Sequence, residues 1–167
     1  MESQQKGFTL IELLVVIAII ALVGTLAAVA VNSARSKQRD ATRLSNIRQM
    51  QSALEDYFNE SNAYPPGESL PLGDGSVSAC LSLDGFSGDC TGESVVFMRI
   101  VTGTFTSGLD GLVACGTPQR SAFCYSQVSD RSNYMIEFEL ENALPQAGLV
   151  AGVNCATPNG IEGGQCQ

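Results

Sequence analysis

The chain has 167 residues, 44% of them hydrophobic and 16% charged, with no histidine and a net charge of −8. That length fits one domain plus an extension. With no histidine, no nucleophile elbow, no phosphate loop and no metal-ligand cluster, the chain is not expected to be an enzyme, to carry a catalytic residue or to need a cofactor.

The first element is apolar. Lys6-Gly7-Phe8-Thr9-Leu10-Ile11-Glu12 opens a hydrophobic run that ends at Val31. Leu13 to Val31 gives 19 consecutive residues without a formal charge. As a helix that stretch measures about 28 Å, close to the hydrocarbon thickness of a bilayer. A carboxylate at a bilayer centre costs about 2.5–3.5 kcal/mol, and less near a segment end. Glu12, at the front of the run, therefore calls for a partner or a purpose.

These residues resemble the amino-terminal signature of type IV pilins and the related pseudopilins of type II secretion. In that family a short polar leader ends in glycine, here residues 1–7, and a membrane-embedded peptidase cuts after it. The resemblance implies cleavage between Gly7 and Phe8, N-methylation of Phe8, and a glutamate four residues beyond the cut, the place that Glu12 occupies. Phe8 would then carry a positive secondary amine that Glu12 of a neighbouring subunit neutralises. In low dielectric such pairing is strong and the unpaired state costly, which assigns Glu12 to assembly and not to acid–base chemistry. The implied fold is α+β: a long amino-terminal helix, part membrane segment and part amphipathic stem, packed on a small antiparallel sheet with disulfide-bonded loops. The implied divisions are a leader at 1–7, a membrane or filament-core helix at 8–31, a stem at 32–60 and a globular head at 61–167. The implied partners are identical or related pilin subunits, the prepilin peptidase, an assembly platform with its ATPase, and the membrane while the chain is a precursor. The head would lie outside the cytoplasm and end on a surface filament serving adhesion, twitching motility or DNA uptake.

Other readings remain open. A pseudopilin would build a short periplasmic piston instead of a surface fibre. Ala28-Val29-Ala30 is a signal-peptidase pattern, which would release a disulfide-bonded binding module beginning near Val31. A plain single-pass anchor is the third. Counting Lys and Arg near the span places the carboxy-terminal side in the cytoplasm, because Arg35, Lys37, Arg39, Arg43 and Arg48 follow it and Lys6 alone precedes it. The resemblance and the cysteines place that side outside.

Beyond Val31 the helical pattern runs without proline to Pro65. Leu44, Ile47, Met50, Leu54, Tyr57 and Phe58 share one face, and Gln49, Ser52, Glu55 and Asn59 lie opposite, which predicts an amphipathic stem packed on a sheet. The stretch Arg39-Asp40-Ala41 to Tyr64-Pro65 resembles the pilin stem and its exit. One helix from Phe8 to about Glu60 is expected, some 80 Å long. Many pilins carry a proline midway along the membrane half; here that place is Val29, and the nearest breaker is Gly24, followed by Thr25.

Charge is segregated. Residues 35–48 hold five basic residues and only Asp40, a net +4, whereas residues 49–167 hold 3 basic and 14 acidic residues, a net −11. An acidic head disfavours direct nucleic-acid binding, since phosphate contacts need Lys and Arg.

Residues 67–122 read mainly as loops, with a possible strand at Val95–Val101. The loop Leu83 to Asp89 lacks the spaced oxygens of a calcium loop and reads as an acidic surface turn. Ala122–Val128 and Tyr134–Leu140, around Ser129-Asp130-Arg131-Ser132, predict an antiparallel hairpin. In its second strand Tyr134, Ile136, Phe138 and Leu140 face one way; Met135, Glu137, Glu139 and Glu141 face the other and read as a solvated face.

Six cysteines all follow the apolar segment, an even count that suits disulfides in an oxidising exterior. Without histidine or a C-x-x-C spacing, zinc is not expected, and no metal site is. Six cysteines allow 15 pairings. Sequential pairing, Cys80–Cys90, Cys115–Cys124 and Cys155–Cys166, closes three short loops and is the expected arrangement. The last loop resembles the carboxy-terminal disulfide loop of some pilins.

Overall fold

The computed structural model describes residues 7–100, 108–128 and 130–167. Most of the expected leader (residues 1–6), Val101 of the expected strand and Ser129 of the expected turn lie outside the described residues. The chain divides into two compact units, Met1–Ser36 and Lys37–Gln167.

Helix α1 runs from Leu10 to Ser61. It begins after Thr9, not at Phe8, because Thr9 serves as its cap. It ends where Asn62 adopts a left-handed backbone (φ 52°) while its N–H reaches the Phe58 carbonyl at 2.8 Å. Asparagine tolerates that cap conformation better than most residues, and Pro65 and Pro66 then bar further helix.

In the first unit the helix is apolar and exposed from Leu10 through Val31. Among the described residues it is the helix long and apolar enough to cross a membrane.

In the second unit α1 buries Asp40, Arg43, Ile47, Met50, Ala53, Leu54 and Tyr57. The strands that follow are β1 (Leu70–Leu72), β2 (Cys80–Ser82), β3 (Gly85–Ser87), β4 (Val96–Arg99), β5 (Ala114–Cys115), β6 (Arg120–Ser121), β7 (Phe123–Gln127), β8 (Tyr134–Leu140), β9 (Gly152–Thr157) and β10 (Gly160–Gly163). They form an antiparallel five-stranded sheet in the order β1-β7-β8-β9-β10, a three-stranded sheet β3-β2-β4 and the pair β5-β6. This is the expected α+β architecture, a long helix packed on antiparallel sheet. Strand β4 falls within the possible strand at Val95–Val101, whereas β1, β2, β3, β5 and β6 were not legible because two or three residues carry no measurable alternation.

The alternation of β8 sets the core. Tyr134, Ile136, Phe138 and Leu140 are buried, with Phe123 and Tyr125 of β7 and Ala156 of β9 beside them and Ile47, Met50, Leu54 and Tyr57 of α1 in the same cluster. Each large apolar side chain so buried contributes about 1.5–3 kcal/mol. The exit from the helix is fastened by polar bonds: Tyr125 Oη donates to the Pro65 carbonyl at 2.6 Å, and Gln127 Nε2 to the Tyr64 carbonyl at 2.7 Å.

The opposite face of the sheet corrects the sequence reading. Glu137, Glu139 and Glu141 do not form a solvated face: Glu139 is buried and the other two are half-buried. A second layer covers them, in which Val113, Cys115 and Cys124 form a small apolar cluster with Ala122 and Val153 packed against it. In register across the sheet, Glu137 lies between Cys124 and Cys155. Charged alternation predicts solvent only when nothing else claims that face, and here residues 108–116 and two disulfides do.

Candidate functional site

The expected processing and assembly residues stand at the front of α1. Phe8 is 87% exposed. Among the described residues nothing lies within 4 Å of the position a Cβ on Gly7 would take. Glu12 is folded back onto Thr9. Its Oε2 accepts from the Thr9 backbone N–H at 2.9 Å and from the Thr9 hydroxyl at 2.7 Å, while its own N–H donates to Thr9 Oγ1 at 3.3 Å. This is a reciprocal capping box, in which residues three apart satisfy each other's first-turn amides. It also supplies the carboxylate with two donors on its own chain. The sequence reading singled out Glu12 and overlooked Thr9, although the Thr-x-x-Glu spacing carried the signal.

A second polar constellation lies at the start of the head, and the sequence reading missed it. Arg39 holds Glu141 bidentately, Nε to Oε1 at 2.7 Å and Nη2 to Oε2 at 2.5 Å. Arg43 Nη1 reaches Glu141 Oε1 at 2.7 Å and Asp40 Oδ1 at 2.6 Å. Asp40 also accepts the backbone N–H groups of Glu141 at 3.0 Å and Asn142 at 2.8 Å, and the Asn142 amide at 2.8 Å. Asp40 and Arg43 are each only 1% exposed. Two cations and two anions balance, and the carboxylates are filled with donors, the condition under which charges tolerate burial. The Arg39 hydrogen bond, with help from Arg43, holds the Glu141 carboxyl below its ordinary range against the effect of burial. The signal was present: the steps of three and four that join Ile47, Met50, Leu54 and Tyr57 continue backward onto Arg43 and Asp40.

The cluster changes the meaning of the basic band. Arg39 and Arg43 are occupied within the head, and Arg35, Lys37 and Arg48 are left exposed on α1.

The cysteines pair as Cys80–Cys90, Cys115–Cys124 and Cys155–Cys166. None is free to ligate a metal. Among the described residues no group of three or more potential ligands is assembled. Asp84 and Asp89 flank β3 in a hairpin, where the Asp89 carboxylate accepts from the Thr91 N–H at 2.8 Å.

Comparison with known proteins bears on the front of the chain. Residues 3–28 match the family model described as the prokaryotic N-terminal methylation motif. No curated protein and no solved structure matches the chain.

Proposed function

We propose that this type IV pilin- or pseudopilin-like chain is a structural subunit of a type IV pilus: held in the membrane as a precursor, cut after Gly7, methylated on Phe8 and assembled through its amino-terminal helix into a surface filament. The observation that carries this reading is an apolar helix exposed from Leu10 to Val31 whose first turn holds a lone carboxylate, Glu12, within the matched motif. Exposed apolar surface of that extent needs lipid or protein around it. Among the described residues nothing packs against Gly7, and on this reading a peptidase site sets the requirement for glycine there.

The chemistry follows from charge. Cleavage frees a primary ammonium on Phe8, methylation makes it a secondary one, and Glu12 of an adjoining copy neutralises that charge away from water, where the attraction is strong and the unpaired state costly. Each arriving subunit is thereby drawn into one register. Identical head-to-tail contacts whose rotation does not close yield an open helical filament. The partners on this reading are the prepilin peptidase, an assembly platform with its ATPase, and related subunits. The role is structural and not catalytic. An acidic head leaves any DNA contact to another subunit.

Sequencing the amino terminus of the protein isolated from its native cells tests the reading: the expected first residue is Phe8, and a start near Val31 would replace it with a secreted module. The Glu12→Ala variant is expected to be processed and membrane-bound yet to yield few filaments; a normal yield contradicts the pairing. A pseudopilin is the second reading, since the matched motif serves it equally. Surface shearing and mass spectrometry separate the two, because a pilin enters the sheared fibre fraction and a pseudopilin does not.

A further inference from the structure

Glu137 and Glu139 of β8, and Glu141 just after it, each hold a different piece of chain. Glu141 holds α1 through Arg39 and Arg43, and Glu137 Oε1 accepts the Cys166 N–H at 3.2 Å. Glu139, only 3% exposed, accepts two backbone N–H groups, from Asp110 on Oε1 and from Leu112 on Oε2, each at 2.8 Å. These two bonds attach residues 108–112, a run whose outer side is largely exposed, to the face of the sheet. The first residue of the same run lies against Glu141 and Arg39. Gly108 has φ +82°, and a Cβ there would lie 3.0 Å from both Glu141 carboxylate oxygens and 3.1 Å from Arg39 Nη2. At its far end the run meets Val113, which is buried, and Cys115, which is bonded to Cys124.

We propose that residues 108–112 form a strap latched by the Glu139 carboxylate, lying against the Arg39–Glu141 ion pair and able to open as a unit while sheet and helix stay folded. The strap has few apolar anchors of its own before Val113, so its closure depends on two charge-assisted bonds to one side chain. A segment of that kind belongs to the low-stability end of a fold and opens locally. The Cys115–Cys124 bond limits how far it can swing. With the strap open, water gains access to Glu141 from the side Gly108 now occupies, and hydrated ion pairs are weak. The strap thus governs how firmly the end of β8 grips α1.

The test is amide hydrogen exchange with mass spectrometry on the full chain in detergent micelles, comparing wild type with Glu139→Gln. Glutamine offers one acceptor oxygen and turns an NH2 donor toward the second strap amide, so one anchor is lost. Peptides covering residues 108–116 are expected to exchange at least about tenfold faster, while those of β7, β8 and the stem keep wild-type rates. Unchanged exchange in the strap overturns the proposal, and so does uniform acceleration across the head. Gly108→Ala leaves the carboxylate in place and presses a Cβ against Glu141; it is expected to give the same local acceleration. If both variants unfold, the strap is not a separable unit and the proposal fails.

Discussion

Asp40 and Arg43 carry full charges on the helix stripe where Ile47, Met50 and Leu54 follow as apolar side chains. What makes this tolerable is completeness: each charge has an opposite partner, and Asp40 fills its oxygens with backbone and amide donors. Removing one member leaves the others buried without compensation. Arg43→Ala is therefore expected to cost about 3–5 kcal/mol, read as a lowered melting midpoint of the full chain in micelles. The acid response follows from the same contacts. The Arg39 hydrogen bond holds the Glu141 carboxyl below its unfolded value, so its stabilisation is complete above the unfolded pKa of about 4.3 and is lost as pH falls through the lower folded value. Acid unfolding of the wild type is expected to fall partly within that window, and Arg39→Gln to shift the acid midpoint upward; an unmoved midpoint shows that Glu141 does not contribute.

Strand β8 and helix α1 are the elements on which the fold turns. Phe138 is fully buried and stacks edge-on with Phe123 at 5.9 Å, so Phe138→Ala is expected to cost about 3–5 kcal/mol, again measured by thermal melting. Much of this layer was legible in the sequence, because period two along Tyr134, Ile136, Phe138 and Leu140 and helical spacing from Ile47 to Tyr57 both mark one buried face. The other face of β8 was not legible. Its glutamates look solvated until residues 108–116 fold over them, and that covering segment is held by a carboxylate and a disulfide, neither of which leaves a periodic trace. Asp40 and Arg43 escaped for a related reason: a stripe drawn from apolar residues alone stops at Leu44, although its geometry continues.

At the scale of the whole molecule, the three disulfides are local. They join cysteines separated by 10, 9 and 11 positions, and each constrains a short loop of the head. In the chain-entropy view a loop of that size contributes roughly 2–3 kcal/mol, so the three together rival the net stability of a small domain. Reduction is expected to lower the melting midpoint of the head sharply, while far-ultraviolet circular dichroism retains the signal of the apolar half of α1, which contains none of these bonds. Retention of an unchanged midpoint after full reduction would show that the packed core suffices alone. The charge map also takes its final form at this scale. Residues 35–48 count as strongly basic in the sequence, but part of that charge is consumed by Glu141.

The steps along α1 from Asp40 through Arg43, Ile47, Met50, Leu54 and Tyr57 alternate three and four, which keeps ions and hydrocarbons in a common phase. Inserting one residue between Arg43 and Ile47 would rotate the charged pair by about 100° relative to the oily seam, whereas adding seven would turn it by only about 20°. The spacing itself is thus a specification of angle and height together: a single extra amino acid turns the ions off the seam, and seven restore the angle but carry Asp40 and Arg43 about 10 Å along the axis, out of reach of Glu141 and Asn142.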